Sequence, residues 1–273
     1  MIIKKKLHNP KQFYPMHQWY WQSWQGQPYL QCSLLQDWLH GFFTQHFDPQ
    51  TPEDLTTILA PKTIAYRVKQ VHGNCVLSAP EIRQTIAALP EADGVLVDQA
   101  HESAWVCSAD CTPALIADRA TGQVAAVHAG WRGTALRILP EAINRFLAQG
   151  SRIENLLVAL GPAISGQVYQ VSEHVAAQVG ASLLADTENL SDAEVLSTLA
   201  DYPNSPLLPD PQPGRIRIDI RQVNLLQIDQ LGVKPDHVAI APHCTYQDPV
   251  NFFSYRRNPE KKVQWSGIVC HSH

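Results

Sequence analysis

Apolar residues fall in short runs along this chain, and Gly, Pro or polar residues close each run. The runs at 64–71, 94–97, 104–107, 124–127, 156–160 and 238–240 predict buried strands, because they are too short and too continuous for helical faces. Most lead to a residue able to do chemistry. His72 follows the first, Asp110 and Cys111 follow 104–107, His128 follows 124–127, and His243 with Cys244 follows the last. Between them, apolar residues recur at helical spacing. Leu136, Leu139, Ile143, Phe146 and Leu147 mark one helix, stopped by Gly150. Ser172 is placed to cap a second, carrying Val175, Val179 and Leu183. Leu225, Ile228 and Leu231 mark a third, ended by Gly232.

Strands and helices mix without a strict strand–helix–strand repeat. That predicts an α+β fold, with layered mixed β-sheets and helices in a single domain over residues 1–273. Residues 1–39 are rich in Gln, Trp and Tyr at their start and read as a peripheral lead-in. Trp19, Trp21 and Trp24 are expected to wrap the core rather than form an interface. Residues 40–257 hold the motifs. Residues 186–214, polar and then Pro-rich, read as a surface excursion, plain loop rather than lid.

Composition narrows the class. A 45% hydrophobic and 17% charged chain is an ordinary soluble globule. A net charge of -4 and the lack of a basic block give no footprint for nucleic acid. No run approaches the roughly 18 apolar residues of a membrane span. Lys4-Lys5-Lys6 is not followed by the apolar stretch of a signal peptide. The six cysteines are irregularly spaced, which fits buried thiols in a reducing cytoplasm better than a disulfide framework. Cys107 and Cys111 are either a metal-binding pair or two independent thiols.

The candidate chemistry lies in three motifs. His72 sits in Gln70-Val71-His72-Gly73, Cys111 in Ala109-Asp110-Cys111-Thr112-Pro113, and His128 in His128-Ala129-Gly130-Trp131-Arg132-Gly133. Taken singly, each has a plain reading: a hydrogen-bonded histidine or a buried small thiol. Two His and one Cys at strand ends instead suggest a metal site with three protein ligands and one open position. Asp110 could orient a histidine or act on substrate protons. Arg132 offers a charged fork for phosphate or carboxylate, or a structural ion pair. Walker, Rossmann and nucleophile-elbow signatures are absent, as is the zinc nucleobase-deaminase pattern.

The motifs as an ordered set resemble the YfiH family, also called the laccase-domain or multicopper polyphenol oxidase family. The match continues through Ala92-Asp93-Gly94, Gly161-Pro162-Ala163-Ile164, Tyr169-Gln170-Val171, Asp219 with Asn224, Cys244-Thr245 and Phe252-Phe253-Ser254-Tyr255-Arg256-Arg257. The resemblance implies a fold like that of the cytotoxic necrotizing factor-like, cysteine-dependent bacterial toxin domain. It implies Zn2+ held by His72, Cys111 and His128. It implies phosphorolysis of purine nucleosides (adenosine, inosine, guanosine and methylthioadenosine), with adenosine deamination as a side activity. The older family name implies Cu2+ and oxidation of phenols. The chain departs from the family where Gly41-Phe42-Phe43-Thr44-Gln45 replaces a motif ending in Phe-Ser-Thr-Arg, which removes a candidate anion-binding Arg. It departs again at Asn258-Pro259.

On this reading Cys111, Asp110 and Arg132 are the expected catalytic residues, and Gln70, Asp93, Tyr169, Asn224 and Arg256 the expected substrate contacts. The partners are purine nucleosides and phosphate. Three rivals stand beside it. One is a copper oxidase, although only one His-x-His pair occurs, His271 with His273. Another is a metal-free cysteine hydrolase with Cys111 as nucleophile and His128 as base. The last is a non-catalytic, metal-stabilised partner-binding domain.

Overall fold

A computed structural model of the chain describes residues 17–85 and 89–271. Lys4-Lys5-Lys6 and His273 lie outside the described residues. The first strands are β1 (Trp19–Trp24), β2 (Gln27–Cys32), β3 (His40–Phe43), β4 (Ile64–Tyr66) and β5 (Val76–Ser78). Next come β6 (Gly94–Val97), β7 (Glu102–Ser108), β8 (Thr112–Asp118), β9 (Val124–Ala129) and β10 (Leu156–Leu160). The last are β11 (Gln170–Ser172), β12 (Leu207–Pro209), β13 (Arg215–Ile218), β14 (Val238–Ile240) and β15 (Gln264–Val269). The helices are α1 (Pro52–Leu59), α2 (Ala79–Arg83), α3 (Trp131–Ala135), α4 (Ile138–Ala148), α5 (Glu173–Ala181), α6 (Asp192–Ala200) and α7 (Ile220–Gln230).

Two six-stranded sheets stack face to face. One has the order β1-β2-β3-β15-β7-β4, the other β14-β10-β8-β9-β6-β5. Both are mixed: β4 runs parallel to β7, β5 to β6 and β14 to β10, while the central pairs are antiparallel. The two-residue period of a strand decides which layer each side chain enters. In β8, Leu115 and Ala117 join Leu30, Phe42, Val106 and Ile268 between the sheets. Their neighbours Ala114 and Ile116 face α4 and α7, where Ile138, Ile143, Phe146 and Ile228 pack. Strands buried on both faces carry continuous apolar runs, which explains the unalternating pattern of 124–127 and 156–160.

The outer face of the first sheet is covered by α1 through Leu55 and Leu59. A three-stranded sheet, β11-β13-β12, packs with α5 and α6 to one side. The result is the layered α+β domain expected.

Two expectations need correction. Residues 27–35 are not peripheral: β2 lies inside the first sheet, and Leu30, Cys32 and Leu35 are fully buried in the central core, while β1 forms the sheet's largely exposed edge. Trp19 packs on Phe42, and Trp21 on His243 and Phe252. The segment 186–214 is not plain loop. Ser191 and Glu194 form a capping box that starts α6, and Val195 and Leu199 bury against α5. The five prolines after residue 202 mask a helix that ends before them.

Candidate metal centre

Cys111 lies in the turn between β7 and β8, where the chain passes from one sheet to the other. His128 is near the end of β9, directly across from Pro113 of β8. This pairing brings residues 111 and 130 together at one end of the second sheet. His72 comes from the loop between β4 and β5. That loop is held by an amide clamp: Gln70 Nε2 donates to the Cys107 carbonyl, and the Cys107 N–H donates to Gln70 Oε1. Gln70 thus imitates a strand partner for β7, and its amide is already engaged there.

The ligand atoms of His72, Cys111 and His128 all lie within 4.8 Å of one another. The two imidazoles meet edge to face, with centroids 4.9 Å apart. His128 is buried, Cys111 is partly covered and His72 is exposed. A tetrahedral zinc bound by nitrogen and sulfur separates its ligand atoms by roughly 3.3–3.6 Å, a small contraction from this arrangement. Two imidazoles and a thiolate are a donor set that suits zinc and also accepts copper. These three residues therefore form a candidate metal site, open on the His72 side.

Electrostatics prepare the cluster for a cation. Burial raises the Cys111 thiol, but the charge of His128 and hydrogen bonds from both histidines outweigh it and bring the thiol down. Burial lowers His128, but Cys111 and Asp93 outweigh that and hold its imidazole well above the usual range. A thiolate is thus favoured at Cys111 in the protein alone.

The other predicted residues divide into two groups. Asp93 and Asp110 are buried and face inward. Asp93 accepts from the backbone N–H groups of Val71, His72 and Gly73 and from His128 Nδ1. Asp110 Oδ1 accepts from the Thr245 hydroxyl at 2.6 Å, and Oδ2 accepts from the Ser254 hydroxyl at 2.9 Å and the Arg256 N–H at 2.7 Å. Asn224 is fully buried on α7, bonded to Thr134 and to the Ile220 carbonyl. It braces α3 against α7 and is sealed from substrate. The expectation of direct contact fails for Asn224 because its helical face points into the core.

Tyr169, Arg132 and Arg256 stay at the site. The Arg132 guanidinium lies 4.3 Å from the Trp131 ring centroid, and that of Arg256 5.0 Å from Tyr169. Arg256 also donates to the Gln170 carbonyl. Among the described residues neither arginine forms an ion pair with a carboxylate. Burial, with Cys111 nearby, pushes the Tyr169 phenol up to about 12.

A cavity of about 30 Å³ lies beside Cys111, between Trp131, Ile164, Tyr169 and Ile220. It accommodates a water-sized group. A larger cavity of about 650 Å³ lies among Leu39, Leu59, Thr63, His101 and Val269. It contains none of the cluster, so the chemistry of the donors rather than volume marks the site.

Sequence reasoning missed Thr245 and Ser254 as the anchors of Asp110. Their signal was slight, since a hydroxyl acquires such a role only through a partner 135 or 144 residues away. At the position of the missing family arginine, Gln45 donates to the carbonyls of Pro249 and Val250 and ties down their loop.

The family described as multi-copper polyphenol oxidoreductase laccase matches residues 54–270. The chain belongs to this family. A purine nucleoside phosphorylase of Synechocystis sp. is 51% identical over 257 residues, covering 93% of this chain and 97% of that protein. An adenosine deaminase from an unknown prokaryotic organism is 29% identical over 205 residues, covering 75% of this chain and 71% of that protein. The solved structure of YlmD from Geobacillus stearothermophilus superposes with a TM-score of 0.74 at 23% identity, covering 93% of this chain and 99% of that one. Among the described residues no helix is long and apolar enough to cross a membrane.

Proposed function

We propose that this chain is a zinc-dependent purine nucleoside phosphorylase. It would convert adenosine, inosine, guanosine and methylthioadenosine to free base and pentose 1-phosphate. The observation that carries this reading is the His72–Cys111–His128 cluster, found in a chain so similar over nearly its full length to a protein of that name. In the reaction a phosphate oxygen bonds to the anomeric carbon, the bond from that carbon to the purine breaks, and the departing purine takes up a proton.

A zinc ion held by the three donors would supply Lewis acidity beside the substrate. The remaining tasks fall to the chain's own residues. Arg132 and Arg256, each with its guanidinium over an aromatic ring and neither in an ion pair with a carboxylate among the described residues, would bind phosphate. Tyr169 keeps its proton at neutral pH and can donate a hydrogen bond to a developing negative charge. Asp110 holds the loop of Arg256 rather than shuttling protons, because both its oxygens are engaged.

Adenosine deamination is proposed as a side activity, supported by the relative of that name. The family description favours a second reading, copper at the same donors with oxidation of phenols. Among the described residues only this one group of three donors is found, which favours a single ion over a multicopper centre. The six free cysteines support placement in a reducing cytoplasm.

Product analysis tests the reaction. Incubation with inosine and phosphate is expected to yield hypoxanthine and ribose 1-phosphate in equal amounts. Hypoxanthine accompanied by free ribose, at a rate indifferent to phosphate, would contradict it.

A further inference from the structure

Asp93 was expected to touch substrate, yet it is fully buried. Its carboxylate is surrounded by donors. Oδ2 accepts from Val71 N–H at 3.2 Å and Gly73 N–H at 2.7 Å, and Oδ1 accepts from His72 N–H at 2.9 Å. Three successive N–H groups turned to one point make a backbone nest, a geometry that binds anions. Here the anion is internal. His72, at its centre, has φ 61°, a left-handed conformation that a non-glycine residue adopts only when its surroundings hold it there.

The same carboxylate reaches the second histidine. Oδ1 accepts from His128 Nδ1 at 2.8 Å, and the Asp93 carbonyl accepts from the His128 N–H at 2.7 Å. Asp93 immediately precedes β6, whose Gly94 pairs with Val127 of β9, so sheet register places it beside His128. A ring whose Nδ1 proton is donated to a carboxylate can offer only Nε2 to a metal, once that nitrogen gives up its proton, and this is the tautomer in which a histidine binds an ion there.

We propose that Asp93 is a positioning residue that sets both histidines of the metal site at once. Its carboxylate closes the nest that places His72 and fixes the ring orientation and tautomer of His128. This rests on the metal reading of the cluster, and it adds that the site is formed before the ion arrives. An Asn at 93 keeps the size but turns one acceptor oxygen into an NH₂ group, which must then face an N–H donor.

The test uses the full chain stripped of metal and titrated with zinc against a chromophoric competing chelator. Asp93→Asn is expected to weaken zinc binding by roughly 10–100-fold, with unchanged far-ultraviolet circular dichroism. Zinc binding by the variant as tight as by wild type overturns the proposal and leaves the metal reading intact. Weak binding by wild type itself overturns the metal reading, and the proposal with it. If Asp93→Asn fails to fold, nitrogen-15 spectra of the zinc-loaded wild type decide. A slowly exchanging proton on His128 Nδ1 is expected, and an unprotonated or metal-bound Nδ1 overturns the proposal.

Discussion

Gly130 and Cys111 approach so closely that a Cβ at position 130 would lie 2.8 Å from Cys111 Sγ and 3.4 Å from His72 Cδ2. The backbone of Gly130 is in an ordinary extended conformation, so it is the space and not the dihedral that calls for glycine. A methyl group there has to displace either the sulfur or itself. Gly130→Ala is therefore expected to cut nucleoside turnover and zinc affinity by at least about tenfold while the fold survives. Steady-state kinetics beside a zinc titration checks this, and wild-type values for both would refute the crowding argument.

Asp110 links the Cys111 turn to the C-terminal loops. It lies in the left-handed region, with φ 90°, and its side chain gathers Thr245, Ser254 and Arg256. Asp110→Asn leaves one of these donors facing an NH₂ group. A loss of about 1–3 kcal/mol of stability is expected, the cost of an unsatisfied buried polar group. A raised KM should accompany it as Arg256 loosens. Denaturant unfolding and kinetics together test it, and a variant of unchanged stability would show the three bonds to be dispensable.

Arg132 and Arg256 predict a split between kinetic constants. If they bind phosphate, replacing either with Ala should raise the KM for phosphate by about tenfold or more and alter the KM for inosine far less, since a charge-assisted hydrogen bond contributes about 1.5–3 kcal/mol. An equal rise in both constants would instead assign them to general site structure.

His40 gives the fold an acid limit away from the site. Its Nδ1 donates to the Trp38 carbonyl, and its Nε2 accepts from the Cys32 N–H, so both ring nitrogens are satisfied only in the neutral form. Burial lowers its pKa to about 4, against an ordinary value of 6.5. The unfolded chain then binds the proton more readily. The stabilisation is complete above pH 6.5 and is lost as pH falls from there to about 4. The loss is on the order of 3 kcal/mol for a shift of this size. Unfolding of wild type and His40→Gln at several pH values should show a shallower acid decline in the variant, and parallel declines would remove His40 as the cause.

What the sequence revealed follows from how local each signal is. His128 and its strand β9 were legible because a buried strand carries its apolar run in a few consecutive residues, whereas β8, which begins at Thr112-Pro113, and its pairing with β9 were not read from the sequence. The joining of His72 to Cys111 and His128 was carried by the family resemblance, because the residues between them do not encode the distance. Asp93 and Asp110 read from the sequence as a substrate contact and a catalytic acid, whereas the structure shows both carboxylates buried among hydrogen-bond donors. A carboxylate near a reactive residue reads as a substrate contact until the donors around it are counted, and those donors come from remote segments. Asn224 was misplaced for the same reason. The helix α6 was overlooked although its Ser191 and Glu194 capping box is local, because the following prolines dominated the reading.

The central claim is that one metal ion, held by His72, Cys111 and His128, supports the cleavage of purine nucleosides by phosphate. The most direct measurement is the initial rate of hypoxanthine release from inosine, in saturating phosphate, as zinc is returned to metal-stripped protein. The rate should start near zero, rise linearly and stop at one equivalent per chain. A full rate in the stripped protein would contradict the claim and favour a Cys111–His128 dyad that needs no metal.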